Sequence, residues 1–252
     1  MPEIVIDDLS VAYRERGGEF LAVDRLTLRV GDGSIMAVVG PSGAGKSTLL
    51  AAVAGLIEPR SGRISVGGVP TRPGKVGLMP QEDLLLPWLT VLDNAALGLE
   101  FGGVPVREAR ERALAALQDF GLGAFAREHP SSLSGGMRQR VSFLRTALAG
   151  QDVLLLDEPF GSLDALTRAE LHMWFLGLWQ AYRSTVILVT HDVEEAAFLA
   201  DTIALVTARP ARVLKEIEVP FSRPRDLSLM GSPRLGRLKA DLLGELLSGA
   251  PR

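Results

Sequence analysis

Uniformly apolar runs alternate along this chain with stretches of helical periodicity, a pattern that predicts a sheet with helices packed on it. Ile4–Ile6 and Leu26–Val30 are predicted strands, separated by the polar segment Arg14–Glu19. Ile35–Val39 predicts a buried strand feeding the loop Gly40-Pro41-Ser42-Gly43-Ala44-Gly45, and Lys46–Leu56 a helix that stops before Pro59. Gly67, Gly68 and Pro70 mark a hairpin between short strands, with Val76–Met79 as the next strand. Residues 90–129 predict a mostly helical insert, with helices near Val91–Leu99 and Val106–Phe120 that Gly121 and Gly123 break.

From Ser134 the apolar positions Met137, Val141, Leu144 and Leu148 keep helical spacing, with Arg138 and Arg145 off that stripe. Val153–Leu156 is too apolar for a half-exposed strand and suits a central parallel one. A helix over Ala165–Tyr182, a buried strand over Val186–Thr190 and a short helix over Val193–Leu199 follow. Two more strands, Ile203–Thr207 and Val213–Val219, precede the Pro- and Arg-rich Pro220–Arg225 and a last helix near Arg234–Leu247. No internal repeat interrupts the order. The expected division is residues 1–225, with a helical subdomain inserted at about 90–150, and a C-terminal helix and tail over 226–252.

Composition narrows the classes. The 252 residues are 47% apolar and 23% charged, which suits a packed core, and the formal net charge of −3 supplies no basic field for nucleic acid. Cysteine is absent, which excludes disulfides, thiolate metal sites and a cysteine nucleophile. The acidic start, Met1-Pro2-Glu3-Ile4-Val5-Ile6-Asp7-Asp8, is too short of apolar length for a signal peptide. No stretch approaches the ~20 apolar residues that span a bilayer, so any membrane role is expected to come through a partner.

The chemistry begins at Gly40–Thr48, which reads GPSGAGKST between an apolar strand and a helix. That is the context of a phosphate-binding loop. Gly40, Pro41, Ser42, Gly43, Ala44 and Gly45 would curl backbone N–H groups around phosphates, and the following helix N-terminus adds partial positive charge. Lys46 would reach the β- and γ-phosphates, the Ser47 hydroxyl would ligate Mg²⁺, and Thr48 would add a phosphate contact. A Gly-rich turn without a ligand is the alternative, and both flanks weigh against it. Val153-Leu154-Leu155-Leu156-Asp157-Glu158 ends a buried strand in two acids. Asp157 fits the metal's hydration shell, and Glu158 could then orient or deprotonate the attacking water.

Leu133-Ser134-Gly135-Gly136-Met137-Arg138-Gln139-Arg140 adds a Ser-Gly-Gly turn opening a helix, a second anion-binding device. One triphosphate does not need two such devices from one chain, so each copy is expected to lend its second device to the nucleotide of another. The ordered set GPSGAGKST, Gln81, LSGGMRQR, VLLLDEP, Ser162-Leu163-Asp164 and His191 resembles the ATPase subunit of ABC-type transporters, over roughly Ile4 to Pro220.

That resemblance implies an α/β fold: a P-loop NTPase core with a mainly parallel sheet, an antiparallel β subdomain and a helical subdomain. It implies ATP and Mg²⁺ as cofactors, with Ser47, Gln81 and Asp157 around the metal and Glu158, His191 and Gln81 in catalysis. Ser134, Gly135 and Gly136 would grip the γ-phosphate on the opposite subunit, Asp164 would bridge the subunits, and His191 would hold the γ-phosphate. Tyr13 stands where the family stacks an aromatic on adenine, with Phe20 a nearby competitor. Gln81 as a surface turn residue and His191 as a satisfied strand-end histidine are the plain alternatives.

Implied partners are a second copy or a paralogous ATPase subunit, transmembrane permease subunits and, indirectly, a solute-binding protein; nucleic acid is not among them. The implied location is peripheral, on the cytoplasmic face of the cell membrane. The run Leu86-Pro87-Trp88-Leu89-Thr90-Val91 after Gln81, with Thr207–Arg212 and Pro224-Arg225-Asp226, is similar to importers of nitrate, sulfonates and taurine, and to importers of pyrimidine-type thiamine precursors.

Some residues keep two readings. Trp88 either faces the membrane partner or packs the helical insert, and Trp174, in the bulky Met173-Trp174-Phe175, either packs a helix or sits at a subunit contact. Phe143 in the signature helix and Gln151-Asp152 ahead of the apolar strand depart from the family's common pattern. A soluble ABC-type ATPase of DNA repair or translation is the rival class, and the acidic balance and single cassette weigh against it. A P-loop kinase or small GTPase explains neither LSGGMRQR nor His191.

Overall fold

The computed structural model describes residues 1–15, 18–161 and 163–248, so Arg16, Gly17, Ser162 and the predicted tail past Ser248 lie outside the described residues. Two sheets carry the fold. The first is antiparallel: β1 (Ile4–Glu15), β2 (Gly18–Val30), β4 (Ser61–Val66) and β5 (Val69–Pro70), in the order β2-β1-β4-β5. The second joins β3 (Ile35–Val39), β6 (Gly77–Met79), β7 (Val153–Asp157), β8 (Thr185–Thr190), β9 (Thr202–Val206) and β10 (Val213–Glu218), in the order β10-β9-β3-β8-β7-β6. All its pairings are parallel except β10 with β9.

The apolar runs are explained by burial on both faces. In β3, Ile35, Ala37 and Val39 enter one core while Met36 and Val38 enter the other. Leu154 and Leu156 of β7 alternate with Val153 and Leu155 in the same way. A period-2 chain sandwiched between two layers has no solvent face, so it shows no polar alternation. Helix α1 (Lys46–Val53) and the antiparallel sheet cover the second face. The first face is covered by α2 (Val91–Phe101), α3 (Val106–Asp119), α4 (Gly135–Leu148), α5 (Ala165–Tyr182), α6 (Val193–Leu199) and α7 (Pro233–Ser248).

Three differences from the sequence reading have clear causes. β1 and β2 are far longer than Ile4–Ile6 and Leu26–Val30, because register pairs such as Val11↔Val23 and Tyr13↔Phe20 carry the ladder into the polar segment. Helix α1 ends at Val53 and not Leu56, since Gly55 takes a left-handed φ of 72° that stops it. The bulky cluster on α5 packs internally: Trp174 meets Phe120 and Phe143 edge-on, with centroids 3.5 and 5.3 Å away, and Phe143 also meets Phe175. Phe143 is buried, a burial that contributes about 1.5–3 kcal/mol.

The Pro- and Arg-rich stretch is a staple. Arg225 is buried and donates to the carbonyls of Phe198, Ala200 and Phe221, and burial lowers its pKa to about 10. Arg223 pairs with Asp201 and lies over the Trp179 ring. These contacts seat the segment before α7, whose Leu235 and Leu242 join the first core.

Candidate functional site

Strand register brings the separate motifs to one level. Val39 lies opposite Thr190, Val189 opposite Asp157, and Met79 opposite Leu156, so four parallel strands end together. The phosphate loop, Gln81, Asp157-Glu158 and His191 all follow those carboxyl ends, where open parallel sheets bind ligands.

The loop is shaped by its glycines. Gly45 has φ 107°, and a Cβ there would stand 2.3 Å from the Ala22 carbonyl oxygen, so only glycine fits between the loop and β2. Lys46 is buried and donates through Nζ to the carbonyls of Gly40 and Pro41, both at 2.8 Å. Burial lowers its pKa, opposed by the Glu158 and Asp157 charges. Thr48 Oγ1 and the Tyr13 hydroxyl are hydrogen-bonded at 3.2 Å, and Tyr13 stacks on Phe20 with centroids 5.6 Å apart. Both aromatic candidates therefore stand beside the phosphate loop in one stack.

Asp157 is buried at the end of β7, and desolvation raises its pKa while a hydrogen bond with Ser47 works against that shift. Its Oδ1 is buried without a hydrogen-bond partner. An orphaned carboxylate oxygen beside a serine hydroxyl suits a hard divalent cation. Among the described residues no group of three or more His, Asp or Glu could hold a metal alone. A cation here would complete its shell from nucleotide oxygens and water, which fits Mg²⁺.

Glu158 takes a left-handed φ of 47°, and its N–H is held by the Val189 carbonyl at 2.9 Å. This strained backbone aims the carboxylate between two neighbours: Gln81 Nε2 is 3.4 Å and His191 Nδ1 3.3 Å from Glu158 Oε2. The three side chains converge on one side of the loop. The cleft that Gln81 and Glu158 border, about 270 Å³, is lined by Ser42 to Thr48 with these two and Arg209. It is smaller than the ~300–1,000 Å³ of enclosed small-molecule sites. Two larger hollows, beside Trp174 and beside Lys215, do not border the phosphate loop.

Ser134, Gly135 and Gly136 are not part of this cleft. Ser134 caps α4 by accepting from the Met137 N–H, and it is exposed together with Gly135. Asp164 is likewise exposed and caps α5, accepting from the N–H groups of Leu166 and Thr167; a hydrogen bond with the Thr167 side chain, followed by these backbone bonds, lowers its pKa. Ser162, in the same motif, lies outside the described residues.

Two features escaped the sequence reading. Arg138 donates to Asp83 at 2.8 Å, and Arg145 to the carbonyls of Asp83 and Leu84, so helix α4 grips the segment that follows Gln81. The signal was present: two arginines off an apolar stripe need acceptors. Arg209, noted only within a resemblance, borders the cleft. Trp88 does not pack the insert: it is 71% exposed on a loop braced by buried Asn94, whose amide binds Leu86, Leu89 and Thr90 backbone groups.

A family model described as ABC transporter matches residues 23–161. A taurine import ATP-binding protein from Pseudomonas aeruginosa is 39% identical over 99% of this chain and 98% of its own. A formylaminopyrimidine import ATP-binding protein from Halalkalibacterium halodurans is 42% identical, covering 86% and 84%. Among solved structures, the dimeric ATP-binding cassette MJ0796 in a post-hydrolysis state with ADP and Pi superimposes with a TM-score of 0.79. It is 28% identical and covers 87% of this chain and 100% of that one.

Proposed function

This chain belongs to the ABC transporter family, and from that membership we propose that two copies sandwich ATP and use its hydrolysis to power an importer. The observation that carries this reading is the separation of two anion-binding devices. The cleft of Lys46, Gln81 and Glu158 is open, while Ser134 and Gly135 stand exposed outside it. A head-to-tail pair would bring the second device of each copy to the first device of the other, a closed two-fold arrangement.

In this reading the loop amides from Pro41 to Ser47 cradle the phosphates. Lys46 exchanges its two carbonyl acceptors for the β- and γ-phosphate oxygens. Glu158 holds the attacking water and takes its proton, with Gln81 and His191 fixing the carboxylate through Oε2. Mg²⁺, held through Ser47 and Asp157, would neutralise phosphate charge. Catalysis is mostly positioning and charge stabilisation, so turnover waits for the partner's Ser134 turn. Tyr13 stacks the adenine.

The solute is a small anion such as taurine, another sulfonate or nitrate, supported by the taurine import relative and the Leu86–Val91 run. The formylaminopyrimidine import relative supports a second solute class, a pyrimidine-type thiamine precursor. Trp88 and its braced loop would face the permease. Among the described residues no helix is long and apolar enough to cross a membrane. The import relatives support peripheral attachment to such a subunit at the cytoplasmic face.

Glu158→Gln keeps the side-chain shape and removes the base. It should cut ATP turnover by at least about 100-fold and accumulate an ATP-dependent dimer on size-exclusion chromatography. A variant that stays monomeric with ATP would refute the sandwich.

A further inference from the structure

Arg209 lies on the loop between β9 and β10, outside every motif that assigns a role in nucleotide handling. The loop is stiff. Thr207 donates through Oγ1 to the Pro210 carbonyl at 2.6 Å and accepts from the Arg212 N–H at 3.0 Å. It is also fastened to β2: Ala211 N–H donates to Ala22 O at 2.8 Å, Asp24 N–H to Ala211 O at 3.0 Å, and Arg212 pairs with Asp24. The same Ala22 carbonyl backs Gly45 of the phosphate loop. Arg209 is thereby held against the nucleotide cleft by the element that shapes it.

Its head group is poised as well. The guanidinium carbon lies 4.8 Å from the Phe20 ring centroid, Phe20 stacks on Tyr13, and Tyr13 is bonded to Thr48. Among the described residues Arg209 takes part in no ion pair, whereas Arg212, on the same loop, is engaged by Asp24. An exposed guanidinium stiffened over an aromatic face keeps its donors free and loses little freedom on binding an anion.

We propose that Arg209 is a nucleotide-binding residue that donates to the α-phosphate, at the nucleoside end of the cleft. Lys46 and the loop amides serve the β- and γ-phosphates, and Gln81 with Glu158 marks the γ end. Arg209 stands instead with Phe20, Tyr13 and Thr48. A planar fork there matches two phosphate oxygens at once. The inference rests on the reading that ATP occupies this cleft.

The test is competition of ATP, ADP, AMP and adenosine against a fluorescent ATP analogue on full-length wild type, Arg209→Gln and Arg209→Lys. Arg209→Gln should weaken ATP, ADP and AMP by a common factor of roughly 3- to 30-fold and leave adenosine unchanged, with Arg209→Lys between. Unchanged ATP affinity in Arg209→Gln would overturn the proposal. So would a loss confined to ATP, which marks a γ contact. An equal loss for adenosine with a lowered melting temperature would mark a loop-packing residue and overturn it too. Failure of wild type itself to bind ATP would instead sink the cleft reading.

Discussion

Asp157 is held in conflict with its surroundings. Its carboxylate is buried, one oxygen has no partner, and desolvation raises its pKa above the ordinary carboxylate value. A raised folded-state pKa means the protonated form favours folding. That contribution is complete below the unfolded value and is lost as pH rises through the folded one, so at neutral pH ionised Asp157 costs stability. Asp157→Asn should therefore raise the melting temperature of the nucleotide-free protein, by about 2–4 °C for each ~1 kcal/mol recovered. The same variant should lose Mg²⁺-dependent ATP hydrolysis. A lower melting temperature, followed by differential scanning calorimetry, would contradict the account. Glu158, next along, stores its strain in the backbone, at φ 47°. Neither property is written in the dipeptide Asp157-Glu158; both come from the strands that end around it.

At the scale of elements, helix α4 has two tasks. Its N-terminus presents Ser134 and Gly135 to solvent, and its body holds the Asp83–Leu84 segment through Arg138 and Arg145. The turn that would meet a partner's nucleotide is rigidly tied to the segment behind Gln81. Ser134→Arg fills that turn with a bulky cation while leaving the chain's own cleft untouched. It should abolish ATP hydrolysis and leave ATP affinity within about 3-fold of wild type by isothermal calorimetry. Lost binding would mean that the turn serves its own chain. Helix and strand positions were largely legible from periodicity, and α5 and α6 match the expected spans end to end. The full length of the β1–β2 hairpin was not, because register shifts between Ile6 and Ala12 break the strict period-2 alternation and its end closes through the polar pair Arg14↔Glu19.

At the scale of the whole molecule, the working parts are distributed between a covered sheet and its exposed rim. The core occupies both faces of β3, β7 and β8, and the candidate site residues stand beyond their carboxyl ends. Exposed Trp88 and Leu84 lie on the segment between Gln81 and α2, a surface suited to a membrane subunit. The purified chain should then show weak ATPase activity that rises by about 10-fold or more when reconstituted with its permease in liposomes. Absence of stimulation, with the Trp88→Ala variant behaving like wild type, would undercut that coupling surface.

The loop Gly40–Thr48, the pair Asp157-Glu158 and the turn Ser134-Gly135-Gly136 were legible as candidates in the sequence alone, because each shows particular residue types at fixed local spacing. So were the buried strands, since a residue covered on both sides must be apolar. Tertiary structure decided what those pieces do together. Register set Gln81 and His191 on either side of Glu158, and a β9–β10 loop far along the chain brought Arg209 to the cleft. Packing drew Trp174 inward and left Trp88 outside. Local spacing encodes loops and strands, whereas convergence of distant side chains depends on strand order and register, which no short stretch of sequence contains.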